Sequence, residues 1–160
     1  MNTKMQLPVS ILLLSLAYGV GQAAPPAPPV AESSASPAAV PLDRSGRKRL
    51  GKASFYAKRL AGKKMADGKL MQPEANNAAS KTLPLGTKAR VTNLATGQSA
   101  VVTIEDRGPY VKDRIVDLSP ATAQRIGLDQ DKGVANVAVA PIAVPQSDGS
   151  VKPGVAAKSE

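Results

Sequence analysis

Two stretches that alternate in polarity, joined by a turn, constrain this chain more than any other feature. Residues 87–93 (TKARVTN) set Ala89, Val91 and Asn93 against Lys88, Arg90 and Thr92, the period of two that marks a half-buried strand. Leu94-Ala95-Thr96-Gly97 is a tight connection, and 98–105 (QSAVVTIE) returns as the partner, so the pair reads as a β-hairpin. A hairpin leaves two open edges, and a chain built around one must cover or close them.

The neighbouring segments continue the pattern. Residues 51–57 (GKASFYA) and 114–118 (RIVDL) read as short strands, and 133–142 (GVANVAVAPI) reads as a closing strand with Val137 and Val139 on one face. Asp106-Arg107-Gly108-Pro109 ends the second hairpin strand with turn chemistry. Residues 58–68 combine long polar side chains with glycine breaks and are expected to be a surface loop. Over 119–127 the punctuation of one short helix is complete: Ser119 at the N-cap, Pro120 at the first helical position, Gly127 as the stop. Several short strands, a single short helix and nothing to cover an open sheet predict an all-β fold closed into a small barrel.

The two ends read differently. Lys4 precedes an apolar run over 7–20, and Gly21-Gln22-Ala23 supplies the small residues of a cleavage site, so 1–23 reads as a signal peptide. That run is too short for the roughly 20 residues that span a bilayer. No cysteine follows it, so no lipid anchor is expected, and the mature chain is expected to be soluble in the periplasm. Residues 24–50 read as a disordered linker, with six prolines between Pro25 and Pro41 and then a basic stretch. From 44 to 64 there are nine Lys/Arg and no acid. Export removes nucleic acid as a partner, which leaves a solvated tether able to touch anionic lipid or wall polymer. The tail, 143–160, has the linker's composition and is expected to be disordered as well. The folded part is therefore 51–142, where Leu, Ile, Val and Phe supply 20 of 92 residues and the core must be thin. A monomer is expected.

Composition narrows the chemistry. The chain has no cysteine, histidine or tryptophan, and 21 Lys+Arg against 12 Asp+Glu give a net charge of +9. Disulfides, thiolate nucleophiles, His-based triads and His- or Cys-ligated metals are excluded. Catalysis would rest on carboxylates, lysines, hydroxyls or the backbone.

The motifs carry the reading further. Ala53-Ser54-Phe55-Tyr56, Ala66-Asp67-Gly68, Ala78-Ala79 and Lys81-Thr82-Leu83-Pro84-Leu85-Gly86-Thr87 follow one another in order. Arg90-Val91-Thr92-Asn93-Leu94, Gly97, Asp106-Arg107-Gly108-Pro109-Tyr110 and Arg114-Ile115-Val116-Asp117-Leu118-Ser119 complete the series. In that order and spacing the chain resembles the rare lipoprotein A family over about residues 51–140. The resemblance implies a six-stranded double-psi β-barrel with one or two short helices. It also implies an endolytic peptidoglycan transglycosylase, cutting glycan strands between N-acetylmuramic acid and N-acetylglucosamine in wall remodelling or septation. No metal and no cofactor are implied.

Such a reaction needs an acid for the glycosidic oxygen and stabilisation of an oxocarbenium-like transition state. The muramyl 6-hydroxyl attacks intramolecularly, so one carboxyl can serve as acid and then as base. Asp106 is the candidate. The family pattern is broken at two places: Lys69 stands where a Glu is usual and Ser80 where a His is usual. Glu74, in the same loop as Lys69, is a possible substitute acid. Glu105 adjoins Asp106 but should point to the opposite face of its strand. Lys69 is a candidate substrate contact that could also hold a neighbouring carboxylate ionised, and the Ser80 hydroxyl could bond a sugar hydroxyl. Arg107 is expected either to pair with Asp117 or to touch substrate, and Asp117 to be a structural carboxylate. Phe55 reads as core, whereas Tyr56 and Tyr110 are candidates for stacking on sugar. Two functions remain open: the transglycosylase, and a glycan-binding barrel that has lost catalysis.

Overall fold

Why six strands close is visible in the longest of them. The computed structural model describes residues 40–128 and 131–158. The leader at 1–23 and the linker reading over 24–39 lie outside the described residues. Within them the strands are β1 (Arg49–Phe55), β2 (Asn77–Ala79), β3 (Lys88–Asn93), β4 (Ser99–Asp106), β5 (Arg114–Leu118), β6 (Val134–Pro145) and β7 (Val151–Pro153). The helix α1 spans Pro120–Arg125. β6 is 12 residues long and pairs antiparallel with β1, then β3, then β7 as it advances. The remaining pairings run β1–β5 parallel, β5–β2 antiparallel, β2–β4 parallel and β4–β3 antiparallel. Together they form a closed, six-stranded, mixed barrel with β7 added outside it.

Alternation fills the barrel as the hairpin pattern requires. Ala89 and Val91 of β3 and Val102 and Ile104 of β4 are fully buried, whereas Lys88 is exposed. Val116, Leu118, Val137 and Val139 add the inward faces of β5 and β6. The helix joins this core through Ala123 and Ile126. Its N-cap is formed as read, with Ser119 Oγ accepting from Thr122 N at 3.2 Å. Gly127, at φ +63, follows it, and Asn93 Nδ2 donates to Ile126 O at 2.9 Å.

Two readings of disorder are corrected. Of the tail read as disordered over 143–160, the described part, 143–158, is largely structured: β6 runs on to Pro145, β7 pairs with it, and a 3-10 turn covers Val155–Lys158. Val144 is fully buried and Ala156 nearly so. Residues 40–50, read as the end of the linker, join the same structure. Asp43 N donates to Thr82 O at 2.7 Å, Val155 N to Gly46 O at 2.9 Å and Gly154 N to Ile142 O at 2.9 Å. Gly154 is required here, since a Cβ would stand 2.2 Å from Pro141 O. These segments are held by main-chain bonds and small residues, which a count of apolar side chains does not register. The 58–68 stretch is also more regular than a loop. A 3-10 turn at Lys58–Leu60 leads into a small flap over 63–71, with Lys64 bridged to Leu70.

Candidate active site

Three adjacent strands set the floor of the site. Ala79 of β2 lies between Asp106, its parallel partner on β4, and Asp117, its antiparallel partner on β5. Ser54 of β1 continues the row beyond Asp117. Strand geometry therefore brings two aspartates into one row, and their partners separate their roles. Asp117 Oδ1 accepts from Arg114 NH2 at 2.5 Å and from the Ser54 hydroxyl. The Arg107–Asp117 pair considered from the sequence is not formed, because Arg114, three residues away on β5, occupies that carboxylate.

Asp106 is held differently. Its Oδ1 accepts from Ala66 N at 3.0 Å and from Arg107 N at 2.8 Å, and Tyr56 Oη reaches Oδ2 at 3.4 Å. Among the described residues no cation pairs with it. The carboxyl is half-buried, oriented by main-chain and phenol donors and open to a ligand.

Tyr56 follows β1 and is fixed by its own amide donating to Leu118 O at 2.9 Å. The residue is only 7% exposed and packs with Met65, Met71 and Ala79, so no open ring face is left for stacking, and its hydroxyl is directed to Asp106. Burial, and next the negative charge of Asp106, pushes the phenol well above its ordinary range, keeping it a proton donor. Tyr110, the other stacking candidate, is by contrast 76% exposed and has the Lys81 ammonium 6.0 Å from its ring centre.

The two positions where the chain leaves the family pattern are both occupied internally. The Lys69 ammonium lies 2.7 Å from Glu105 Oε1 and 3.1 Å from Asp67 Oδ2. Hydrogen bonds to Glu105, then to Asp67, raise its proton affinity. Ser80 is buried, and its Oγ accepts from Leu83 N at 3.2 Å. Arg107 turns toward this same bend: its NH1 donates to Ser80 O at 3.1 Å and Leu83 O at 2.6 Å. Glu74 is exposed and makes no hydrogen bond or ion pair among the described residues, so the structure does not bring it to Asp106.

Sequence reasoning missed Asp67, Met65 and Met71. The methionines could have been found as the inward positions of a two-residue period in the flap, since Lys64 and Leu70 beside them are exposed. Two clefts open on the surface. One, of about 470 Å³, is lined by Lys69, Leu70, Gln72, Ala75, Asn77 and Glu105. The larger, about 700 Å³, lies around Leu50, Leu94, Thr96 and Val134. Neither lining includes Asp106, which lies between the flap, through Ala66 N, and the 80–83 bend, through Ser80 N donating to its main-chain oxygen.

A closed mixed barrel with an Asp-Arg-Gly-Pro turn at the end of β4 defines a class, and comparison with known proteins agrees with it. The family model described as lytic transglycolase matches residues 48–139, and the chain belongs to this rare-lipoprotein-A-like family. An endolytic peptidoglycan transglycosylase RlpA of Pasteurella multocida is 47% identical over 97 residues, covering 61% of this chain and 33% of that protein. A probable endolytic peptidoglycan transglycosylase RlpA of Synechocystis sp. is 46% identical over 89 residues, 56% of this chain and 27% of its own length. The matched segment thus spans about a third or less of these relatives. Among solved structures, the Streptomyces papain inhibitor matches at 22% identity and TM-score 0.46, over 59% of this chain and 94% of its own.

Proposed function

We propose that this chain is an endolytic peptidoglycan transglycosylase that cleaves glycan strands between N-acetylmuramic acid and N-acetylglucosamine, with Asp106 as acid and base. The observation that carries the reading is the Asp106 carboxyl: oriented by Ala66 N, Arg107 N and Tyr56 Oη, half-buried, and paired with no cation among the described residues. Protonated Asp106 gives its proton to the departing glucosamine O4 as the bond to muramyl C1 breaks. The muramyl O6 then closes on C1, and its proton returns to the carboxylate, so the 1,6-anhydro product forms without water or cofactor. Tyr110 contributes an exposed ring to the sugar, and Arg107 and Ser80 frame the bend beside it.

Export by the 1–23 leader to the periplasm completes the reading, and no helix among the described residues is long and apolar enough to cross a membrane. Lys58, Arg59, Lys63 and Lys64 are exposed, form no ion pair among the described residues, and suit contact with anionic wall polymer.

A second reading, a glycan-binding barrel without catalysis, is favoured by Lys69 and Ser80. Neither offers an acid, and both are engaged internally. Incubation of the mature protein with isolated sacculi, before and after amidase removal of stem peptides, separates the two. Transglycosylase activity releases 1,6-anhydromuramyl products and falls by about 10²–10⁴ in Asp106→Asn, the range for losing a general acid–base group. Retention on sacculi with no released product at any protein concentration establishes the binding barrel instead.

A further inference from the structure

We propose that Lys69 is a positioning residue, an ionic latch that holds the 63–71 flap against β4 and thereby keeps the Ala66 amide on Asp106. Its catalytic consequence rests on the transglycosylase reading, whereas its structural consequence does not.

The flap is a short antiparallel turn. Met65 N donates to Lys69 O at 2.8 Å, Met71 N to Lys63 O at 2.8 Å, and Gly68, at φ +92, turns the chain between them. Its underside is anchored by Met65 and Met71, packed against Tyr56. The tip has no such anchor. Ala66 is exposed and Asp67 half-exposed, and the tip meets β4 through two bonds: Ala66 N to Asp106 Oδ1 at 3.0 Å and Asp67 N to Glu105 O at 3.0 Å.

Lys69 bridges those parts. Its backbone N donates to Asp67 Oδ1 at 2.9 Å, and its ammonium joins Asp67, on the tip, to Glu105, on β4. Glu105 immediately precedes Asp106. Without the ammonium, two carboxylates that both lie within 3.1 Å of one nitrogen would face each other uncompensated. Their repulsion pushes the tip off the strand and carries the Ala66 amide away from Asp106. Lys69 makes no contact with Asp106 itself, so its effect is transmitted through the flap. The same pairing explains how a cation is accommodated beside a carboxylate site: it engages the two flanking acids and leaves Asp106 the one carboxylate of the three without a cation. The latch is solvent-exposed, so salt weakens it.

The test uses the full mature chain with Lys69→Met and Lys69→Arg. Amide exchange of Ala66 is followed by NMR against the barrel amides of Val91 and Ile104 as controls for folding. At low salt, Lys69→Met is expected to speed Ala66 exchange about tenfold while the control amides are unmoved. Lys69→Arg restores protection, and sodium chloride speeds Ala66 exchange in the wild type but not in Lys69→Met. In sacculus digestion, Lys69→Met lowers kcat with KM unchanged, and Lys69→Arg recovers it. Unaltered Ala66 exchange in a folded Lys69→Met overturns the latch. A wild type without activity overturns the transglycosylase reading and leaves the exchange result standing.

Discussion

The two walls beside Asp106 are fastened by opposite means. The 63–71 flap is tied to β4 at its tip by an exposed ammonium between Asp67 and Glu105. The 80–83 bend is tied from within: Ser80 and Leu83 are buried, Ser80 Oγ accepts from Leu83 N, and Arg107 donates to the carbonyls of both. Water and salt reach the first set of bonds and are largely kept from the second. One wall is therefore adjustable and the other fixed, with the Asp106 carboxyl between them. Ala66 N, from the adjustable wall, and Arg107 N, from the fixed one, both donate to Asp106 Oδ1.

The contrast is broken most directly from the fixed side. Arg107→Met removes a guanidinium from two carbonyl oxygens and leaves them without their charged donor. Hydrogen bonds of this kind contribute about 1.5–3 kcal/mol, and urea unfolding should register a loss of that size. The loss should be nearly the same at low and high salt. A loss that vanishes at high salt would mean that Arg107 acts as a surface charge, and the distinction between the walls would fail.

How much of this was legible depended on whether the information was local. The hairpin was read from alternation alone, and β3 and β4 pair in the register that Ala89 opposite Val102 and Val91 opposite Ala100 require. The helix was read from Ser119, Pro120 and Gly127, each acting on its own neighbours. β2 was not read at all. Asn77-Ala78-Ala79 has no strand character of its own and becomes a strand because β4 and β5 offer edges on both sides. The clasp between 43–46 and 151–156 was missed for a similar reason: it depends on Gly154 passing against Pro141, contacts that no composition reveals.

The site divides in the same way. Asp106 was legible because its motif is contiguous. The partner of Lys69 was not, since Glu105 lies 36 residues away and reaches it only after the flap has folded over β4. The expectation that Glu105 and Asp106 point to opposite faces rests on regular alternation, and the β2–β4 register shifts at this point, with Ala78 opposite Ile104 and Ala79 opposite Asp106, so that both residues meet the flap. It did not foresee that the Glu105 main-chain oxygen holds Asp67. Ser80 was read as open to sugar, and its burial follows from the bend that Arg107 closes.

A second experiment sharpens the contrast at the flap's outer face. Lys58, Arg59, Lys63 and Lys64 are exposed around the adjustable wall. Replacing all four by alanine should weaken retention on sacculi about threefold to tenfold at low salt, and hardly at high salt, where such charges are screened. Folding should be unaffected, because none of the four forms an ion pair among the described residues. Unchanged retention at low salt would show that the basic face does not meet the wall.

The smallest effect concerns the response to alkali at the flap, where a buried group and an exposed one lie on the same wall. Tyr56, beneath the flap, has a phenol pushed above its ordinary range by burial and then by Asp106, and Lys69 has its ammonium raised by Glu105 and then Asp67. Both groups keep their protons longer folded than unfolded. Their contributions are therefore complete below the unfolded values and are lost as pH climbs past about 10, where the unfolded chain releases protons first. Stability should fall across that window, and Tyr56→Phe should make the fall shallower by removing one titrating group. Salt tells the two apart. The Tyr56 share is set chiefly by burial and should persist in high salt, whereas the Lys69 share should shrink with its exposed ion pairs. Urea unfolding of wild type and Tyr56→Phe between pH 8 and about 11, at two salt concentrations, measures both. Equal slopes for the two proteins at both salts would mean that the Tyr56 phenol is open to water, and that the wall above it is looser than its packing indicates.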